Sequence, residues 1–274
     1  MPEKRNKAPN PADVLFNNLF SQCPPDESFK LVAEGLSASH HNAERLLCDV
    51  QFLVEAGRLS SARFLLTTAR EEIAKSYILA DMCRLDLEKH HSVLRRLCRA
   101  FYDHISKHAY LEVLQIPNIN SMCKAKTLWE SEVKRWWPAG PPEDGEPDMP
   151  HDTYFDRELP LYIDYGNYDH CWLVPTDSDQ NAYFIEMFGK TPISKTEKLI
   201  VPWQKADAIG ICSAEVLSIL NVVFKKNYVH KDNTWEQLIR LYKQTAKRVM
   251  AEVGIPCEEF MASPFVQWPL YALV

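Results

Sequence analysis

The chain has 274 residues and a formal net charge of −6, a length that suits one large domain or two smaller ones with a sizeable core. Hydrophobic residues make up 46% of it and charged residues 25%, which is ordinary for a globular protein and does not indicate disorder. The acidic balance provides no general attraction to nucleic acid or anionic membranes, so any polyanion-binding site has to be local.

The N-terminus and the cysteines narrow the class of protein further. The first residues carry charges and prolines where an export signal has an apolar core, and no window reaches the roughly 18 to 20 apolar residues of a membrane span. The 8 cysteines are scattered singly, without the paired spacing of a zinc site. Cys48, Cys83, Cys98 and Cys212 fall in helical patterns and are predicted to be reduced core thiols. We therefore expect a cytoplasmic protein with no membrane contact, no cofactor and no bound metal.

Helical periodicity dominates the first half of the chain. Apolar residues at three- and four-residue spacing predict helices at 12–22, from Asp26 into 41–56, at 60–84, at 88–113 and at 121–137. Asp26 is the candidate N-cap of the second of these helices, and Pro117 stops the fourth. Short connections between long amphipathic segments are typical of a helical bundle.

The second half begins with a run rich in Pro, Gly and acid at 138–153, which predicts a linker. Beyond it, alternating residues at 159–165 and 170–174 predict a β-hairpin that turns at Gly166. Helical periodicity returns at 203–226 and 233–253, and the final residues are apolar enough to dock on the rest of the protein. The predicted fold is mostly α, an up-down helical bundle with a small β-hairpin insertion and additional C-terminal helices. The predicted divisions are 1–25 (tail and short helix), 26–137 (bundle), 138–153 (linker) and 154–274 (hairpin and helices packed on the bundle).

A basic stretch stands out within this acidic chain. Its basic members between Arg84 and His108 are Arg84, Lys89, Arg95, Arg96, Arg99 and Lys107, together with four histidines. Such a stripe could receive the phosphates of RNA. The alternative is a solvated helix face without a ligand, and composition alone leaves both open.

Several short motifs, in order, resemble one known family. They are Asp49 to Arg58 (DVQFLVEAGR), Ser61-Ala62, the EEIAK box at 71–75, and His91 at the start of the basic helix. A later segment adds Arg157, Leu161, Tyr162, Ile163, Asp164 and Pro175. Together they resemble the AbiV family of bacterial abortive-infection proteins, part of the wider HEPN group of helical bundles. The resemblance spans roughly residues 40 to 225, with Ala74 where the family usually has glycine.

The resemblance implies a catalytic arginine followed after four to six residues by a histidine, as in HEPN ribonucleases. Arg99 with His104 fits this spacing, and so does Arg84 with His90 or His91. We favour the first pair because it lies deepest in the basic helix. The histidine would take the proton of a ribose 2′-hydroxyl and the arginine would bind the scissile phosphate, leaving a 2′,3′-cyclic phosphate without a metal. Active relatives usually pair two bundles, which implies a homodimer.

Helix geometry argues against this pair in a straight helix. A five-residue step at ~100° per residue leaves the two side chains about 140° apart, unless the helix ends or bends near position 104. Asp103 could orient the His104 ring or pair with Lys107. His104 and His108 have ligand spacing, but no further ligand is evident, so no metal site is predicted.

The EEIAK box is predicted to support the site rather than to perform chemistry. Glu72 and Lys75 could form an ion pair, while Glu71 reaches Arg99 and holds it, with a lowered carboxylate pKa. The remaining substrate-binding or supporting candidates are Arg84, His91, Arg95, Arg96, Asp103, His108, Tyr162 and Asp164. Tyr162 and Asp164 share one face of the predicted strand, where they could line a cleft or form a structural pair.

Two functions from different classes follow. The first is phage defence by a metal-independent endoribonuclease that cleaves RNA through Arg99 and His104. The second is a non-catalytic interaction module that binds a phage or host protein and arrests growth. A nuclease requires both side chains in one groove, whereas an interaction module requires an exposed apolar patch.

Overall fold

The structure is a computed structural model that describes residues 9–116, 119, 121–134, 193–229 and 233–274, and the backbone of 164–166, 171–173 and 190–192. Its helices are α1 (Pro11–Phe16), α2 (Pro25–Glu55), α3 (Leu59–Met82), α4 (His91–Tyr102), α5 (His104–Gln115), α6 (Met122–Val133), α7 (Lys190–Ala208), α8 (Ala214–Phe224), α9 (Trp235–Val253) and α10 (Cys257–Met261). A π-helical turn at Asn17–Ser21 follows α1, and a 3₁₀ turn lies at Leu270–Ala272. The prediction of a mostly α-helical fold is confirmed.

The helical hairpin of α2 and α3 is the centre of the fold, and α4, α5, α7 and α8 pack directly on it. Outside these, α1 packs on α4, α6 on α5 and α9 on α8. The buried residues of the hairpin recur at three- and four-residue spacing, among them Val32, Leu36 and Ala43 of α2 and Ala69 and Ile73 of α3, each at most 1% exposed. The predicted cap was wrong, because α2 begins after Pro24 and Asp26 lies in its first turn. There its carboxylate interacts favourably with the positive end of the helix dipole.

The predicted helix at 88–113 is two helices, because the chain breaks at Asp103. This residue is extended, with φ −84° and ψ 125°, and its side chain accepts a hydrogen bond from Ser106 N at 2.7 Å. It thereby caps α5 immediately after α4 ends. The break changes the direction of the chain between Arg99 and His104, the two residues predicted to act together.

The predicted helix at 203–226 also divides, here at Gly210. The glycine has φ 80°, a left-handed conformation that costs a residue with a Cβ more than it costs glycine. Ile211 N donates to Ala206 O at 2.8 Å and closes α7. Ser213 then caps α8 by accepting from Val216 N.

Two short strands lie in the segment where a hairpin was predicted. They are β1 (Asp164–Gly166) and β2 (Cys171–Leu173), paired antiparallel with Asp164 opposite Leu173 and Gly166 opposite Cys171. The predicted linker at 138–153 lies outside the described residues.

The C-terminal tail docks on α3, as its apolar sequence predicted. Phe265, Leu270 and Tyr271 are fully buried. Asp81 accepts hydrogen bonds from Leu270 N at 2.6 Å and from Tyr271 N at 3.1 Å. Arg84 forms a fully buried ion pair with Asp81 and donates to Phe265 O at 2.5 Å. This ion pair therefore joins the end of α3 to the end of the chain.

The cysteines follow the prediction with one exception. Cys83, Cys98 and Cys212 are buried free thiols, and burial raises the pKa of Cys83 and of Cys98 to about 12. Cys48 is exposed, so its assignment to the core was wrong. It lies on the solvent side of α2, one position beyond the buried Leu47.

Some large apolar side chains of the described residues are exposed. Phe52 is the most exposed of them at 70%, and Met250 follows at 50%. None of the helices in the described part of the chain combines the length and apolarity needed to cross a bilayer.

Candidate functional site

A buried carboxylate on α3 binds two basic side chains of α5, and these three residues form the Glu71 cluster. His104 Nδ1 lies 2.8 Å from both carboxylate oxygens of Glu71. Lys107 Nζ donates to Glu71 Oε2 at 2.8 Å. The side chains of Glu71 and Lys107 are 9% and 4% exposed, whereas that of His104 is 27% exposed. The cluster thus presents a histidine at the surface that is held from behind by a buried ion pair.

The local sequence positions each member. Glu71 lies in the middle of α3 and is itself buried, at 7% exposed. His104 is the first residue of α5, and Lys107 lies almost one turn later on the same face. Because Asp103 ends α4 and caps α5, both basic side chains come from the first turn of a helix that packs against α3.

The electrostatics of the cluster favour an ionised carboxylate. Burial by itself raises the pKa of Glu71, but the hydrogen bonds from His104 and Lys107 and the positive charge of Lys107 outweigh it, so the pKa is lowered. An ionised carboxylate can only accept hydrogen bonds, so the His104 Nδ1 carries the hydrogen in this contact. In the neutral ring the lone pair is then on Nε2, the nitrogen that can take up a proton.

Arg99 lies in the last turn of α4 and is exposed. The straight-helix separation of about 140° between Arg99 and His104 does not apply here, since the two residues belong to different helices. The residue before the break, Tyr102, is 45% exposed. The end of α4 and the start of α5 together therefore present an arginine, a tyrosine and a histidine to solvent.

Comparison with known protein families identifies the family of this chain. The family model HEPN_AbiV, described as AbiV, matches residues 31–191, which is more than half of the chain. The chain belongs to the AbiV family. Neither a curated protein nor a solved structure matches it. The matched range contains all of the Glu71 cluster and Arg99, whereas most of α7 and all later helices lie outside it.

The structure corrects two contacts predicted for this AbiV-family protein. Glu71 is buried with a lowered pKa as expected, but it binds His104 and Lys107 rather than Arg99. Asp103 does not pair with Lys107, because its carboxylate accepts from Ser106 N as the cap of α5. Both corrections have the same cause, the helix break that turns α5 toward α3.

The ion pair expected between Glu72 and Lys75 is present. Lys75 Nζ donates to Glu72 Oε1 at 2.5 Å, and both side chains are mostly buried. The same ammonium group lies 5.3 Å from the centre of the Phe101 ring on α4. The pair therefore connects α3 to the helix that carries Arg99.

The predicted basic stripe is shorter than its sequence suggested. Arg84 is 0% exposed, so it cannot contact RNA at the surface. The alternative catalytic pair of Arg84 with His90 or His91 therefore lacks an arginine that could bind a phosphate. Lys107 is also buried. Arg95, Arg96 and Arg99 of α4 remain exposed. The Arg95 guanidinium lies 4.0 Å from the centre of the Phe16 ring.

The remaining candidate residues that the structure describes are His91 on α4 and His108 on α5. His91 packs the edge of its ring on Phe16, with 5.6 Å between ring centres. His108 Nε2 lies 3.9 Å from Glu132 Oε2 on α6. Tyr162 and the side chain of Asp164 lie outside the described residues, as do Arg157 and Pro175.

Sequence reasoning missed Lys107 as a member of the site. It was counted as part of the solvent-facing stripe, and the only local signal was its position three residues after His104. That spacing places both on one helix face, but the partner they share lies 33 to 36 positions earlier in the chain. Only the packing of α5 on α3 reveals it.

Glu71→Gln tests the electrostatics of the cluster. We expect the free energy of unfolding at neutral pH to fall by about 1.5–3 kcal/mol, because the charge-assisted hydrogen bonds to His104 and to the buried Lys107 are weakened. The folded-state pKa is lowered, so the stability from ionised Glu71 is present above its ordinary pKa of 4.5 and is lost as pH falls through the folded-state pKa. The difference between the proteins should therefore shrink in acid.

Urea unfolding at a series of pH values measures this difference. The control is Glu130→Gln, which removes an exposed ion pair with Lys126 and should change stability by less than about 0.5 kcal/mol. A Glu71→Gln effect that stays constant down to acid pH would show that the carboxylate charge is not what stabilises the cluster.

Proposed function

We propose that this protein acts in abortive infection, the phage-defence role that its AbiV family suggests, and that it does so as a metal-independent endoribonuclease. The observation that carries the proposal is the Glu71–His104 contact, in which a buried carboxylate 2.8 Å from Nδ1 holds a partly exposed imidazole. A general base needs such an orienting partner.

The proposed reaction is transfer of an RNA phosphodiester to its own ribose. His104 Nε2 takes the proton of the 2′-hydroxyl while the 2′-oxygen bonds to phosphorus. The bond from phosphorus to the 5′-oxygen breaks, and that oxygen takes a proton from solvent. The products are a 2′,3′-cyclic phosphate and a 5′-hydroxyl end. The Glu71 carboxylate stabilises the imidazolium that forms on His104.

Arg99 is proposed to bind the scissile phosphate. Its planar guanidinium can donate two parallel hydrogen bonds to phosphate oxygens and stabilise charge that develops on them. Arg95 and Arg96, exposed on the same helix, would contact neighbouring phosphates and position the strand. Pairing of two copies, which the resemblance implies, would place two such sets at one interface.

Growth after induced expression in a bacterial host tests the proposal. We expect the intact protein to arrest growth and fragment RNA with 2′,3′-cyclic phosphate ends, and Arg99→Ala and His104→Ala to do neither while accumulating to the same level. Arg45→Ala is the matched control, because Arg45 is an exposed arginine on α2 that pairs with Asp49. RNA fragments that end in a 3′-hydroxyl would contradict the proposed chemistry.

The second candidate function is a non-catalytic interaction module. The 70% exposure of Phe52 near the end of α2 favours it, because a large exposed aromatic side chain is a common anchor of protein interfaces. In that case growth arrest persists in both the Arg99 and His104 variants with intact RNA. Phe52→Ser would instead abolish it.

A further inference from the structure

Two consecutive histidines of α2 meet an aspartate at the end of α7. One ligand atom each from His40, His41 and Asp207 lies within 4.8 Å of the other two. His40 Nε2 is 3.3 Å from Asp207 Oδ2. Two ligands that share one ion at zinc–nitrogen and zinc–oxygen distances of roughly 2.0–2.1 Å in tetrahedral geometry are themselves about 3.3 Å apart. The spacing of this pair therefore fits two ligands of one ion.

His40 supplies an independent sign of a missing ligand. Its side chain is 1% exposed. Neither ring nitrogen forms a hydrogen bond within the described part of the chain, although Nε2 lies at ion-pair distance from Asp207. Buried polar atoms are almost always satisfied, and those that are not often mark a site for an ion or water.

Ser37 orients the other two groups from one turn earlier on α2. Its carbonyl oxygen lies 2.8 Å from His41 Nδ1, and its hydroxyl donates to Asp207 Oδ2 at 3.2 Å. Hydrogen bonds of this kind from a second layer of residues fix the direction of metal ligands. Ser37 is thus placed as a positioning residue for both.

We propose that His40, His41 and Asp207 bind a divalent first-row transition metal, with Zn²⁺ as the ion, and that the metal joins α2 to α7. Two imidazoles and one carboxylate suit Zn²⁺, Co²⁺ or Ni²⁺ better than Mg²⁺ or Ca²⁺, which prefer oxygen ligands. Asp207 is 29% exposed and His41 is exposed, so an ion can enter from solvent. Water would complete the coordination.

This metal site could not be predicted from the sequence. The site is also independent of the proposed nuclease function. Adjacent helical residues such as His40 and His41 point ~100° apart and do not suggest a metal pair by themselves. Their third partner lies more than 160 positions later in the chain, outside the range that matches the family model. None of the three residues belongs to the Glu71 cluster.

Cobalt binding to the tag-free full-length protein tests the site. We expect one Co²⁺ per chain, with visible d–d bands, displacement by Zn²⁺, and a higher melting temperature with either metal. His41→Gln and Asp207→Asn approximately keep the volume of the side chain but each removes one metal ligand at the surface. Each should weaken cobalt binding by more than 100-fold, because losing a residue that only supports a ligand already costs up to roughly that much. Ser37→Ala should weaken it about 10- to 100-fold.

The matched control is Asp49→Asn, an exposed carboxylate on the same helix, which should bind Co²⁺ as the intact protein does. Circular dichroism of each metal-free variant confirms that it is folded. Binding that is unchanged in both His41→Gln and Asp207→Asn would overturn the proposal. So would a thiolate-to-cobalt charge-transfer band, because it would assign the ion to a cysteine such as the exposed Cys48.

Discussion

His104→Ala is expected to slow RNA cleavage by the purified protein about 100- to 10,000-fold, the usual contribution of a positioned general base. The variant keeps the Glu71–Lys107 ion pair, so the fold and the buried charge balance of the cluster should remain. Single-turnover cleavage of a defined RNA, followed with saturating protein, isolates this step from RNA binding.

Glu71→Gln separates positioning of the histidine from catalysis. It leaves the imidazole in place but replaces the carboxylate that stabilises the imidazolium, so cleavage should slow less than in His104→Ala. Arg45→Ala is again the control for loss of an exposed arginine and should cleave at the normal rate. Equal cleavage by His104→Ala and the intact protein would exclude His104 as the base.

Asp81→Ala is expected to lower the free energy of unfolding by about 3–5 kcal/mol, because it leaves the Arg84 guanidinium buried without its carboxylate. Both side chains are at most 1% exposed. The same substitution removes the acceptor of Leu270 N and Tyr271 N, so the C-terminal tail should loosen. Urea unfolding measures the loss, and proteolysis of the native protein should release the tail earlier.

The double variant Asp81→Leu with Arg84→Met separates the effect of the unpaired Arg84 charge from the effect of the acceptor lost by the C-terminal tail. Replacing both charges should recover part of the loss, since no unpaired charge remains buried. Recovery should be incomplete, because the two backbone N–H groups of the tail still lack an acceptor. Asp49→Ala removes one partner of an exposed pair and should cost less than about 1 kcal/mol. An Asp81→Ala effect of that small size would show that the buried pair does not hold the tail.

Helix positions followed from the sequence because helical periodicity is a local property. The apolar stripes of α2, α3 and α9 are regular over many turns, and their predicted extents agree closely with the observed ones. Breaks were harder to predict. Apolar residues Phe101 and Ile105 continue the period across Asp103, and only the cap formed by its side chain ends α4 there. The Asp–Ser spacing of that cap was present in the sequence but is too common to decide alone.

The partners of charged residues did not follow from the sequence. Glu71 was recognised as a buried supporting carboxylate, yet its partner was misassigned because Arg99 and Lys107 are equally basic in the sequence. Arg84 was counted as a surface residue, although Asp81 and the carbonyl of Phe265 make its burial favourable. A charge can be buried only where partners compensate for its lost hydration, and such partners often come from distant parts of the chain.

The sequence by itself determined the helical class of this protein, its family and the two residues proposed to act on RNA. Short motifs and helical periodicity depend only on residues that lie close together in the chain. The tertiary structure alone decided which basic residues face solvent, which carboxylate holds His104, and that His40 and His41 meet Asp207. Those outcomes depend on contacts between α3 and α5 and between α2 and α7, and the free energy of burying a charge is set by the contacts that surround it.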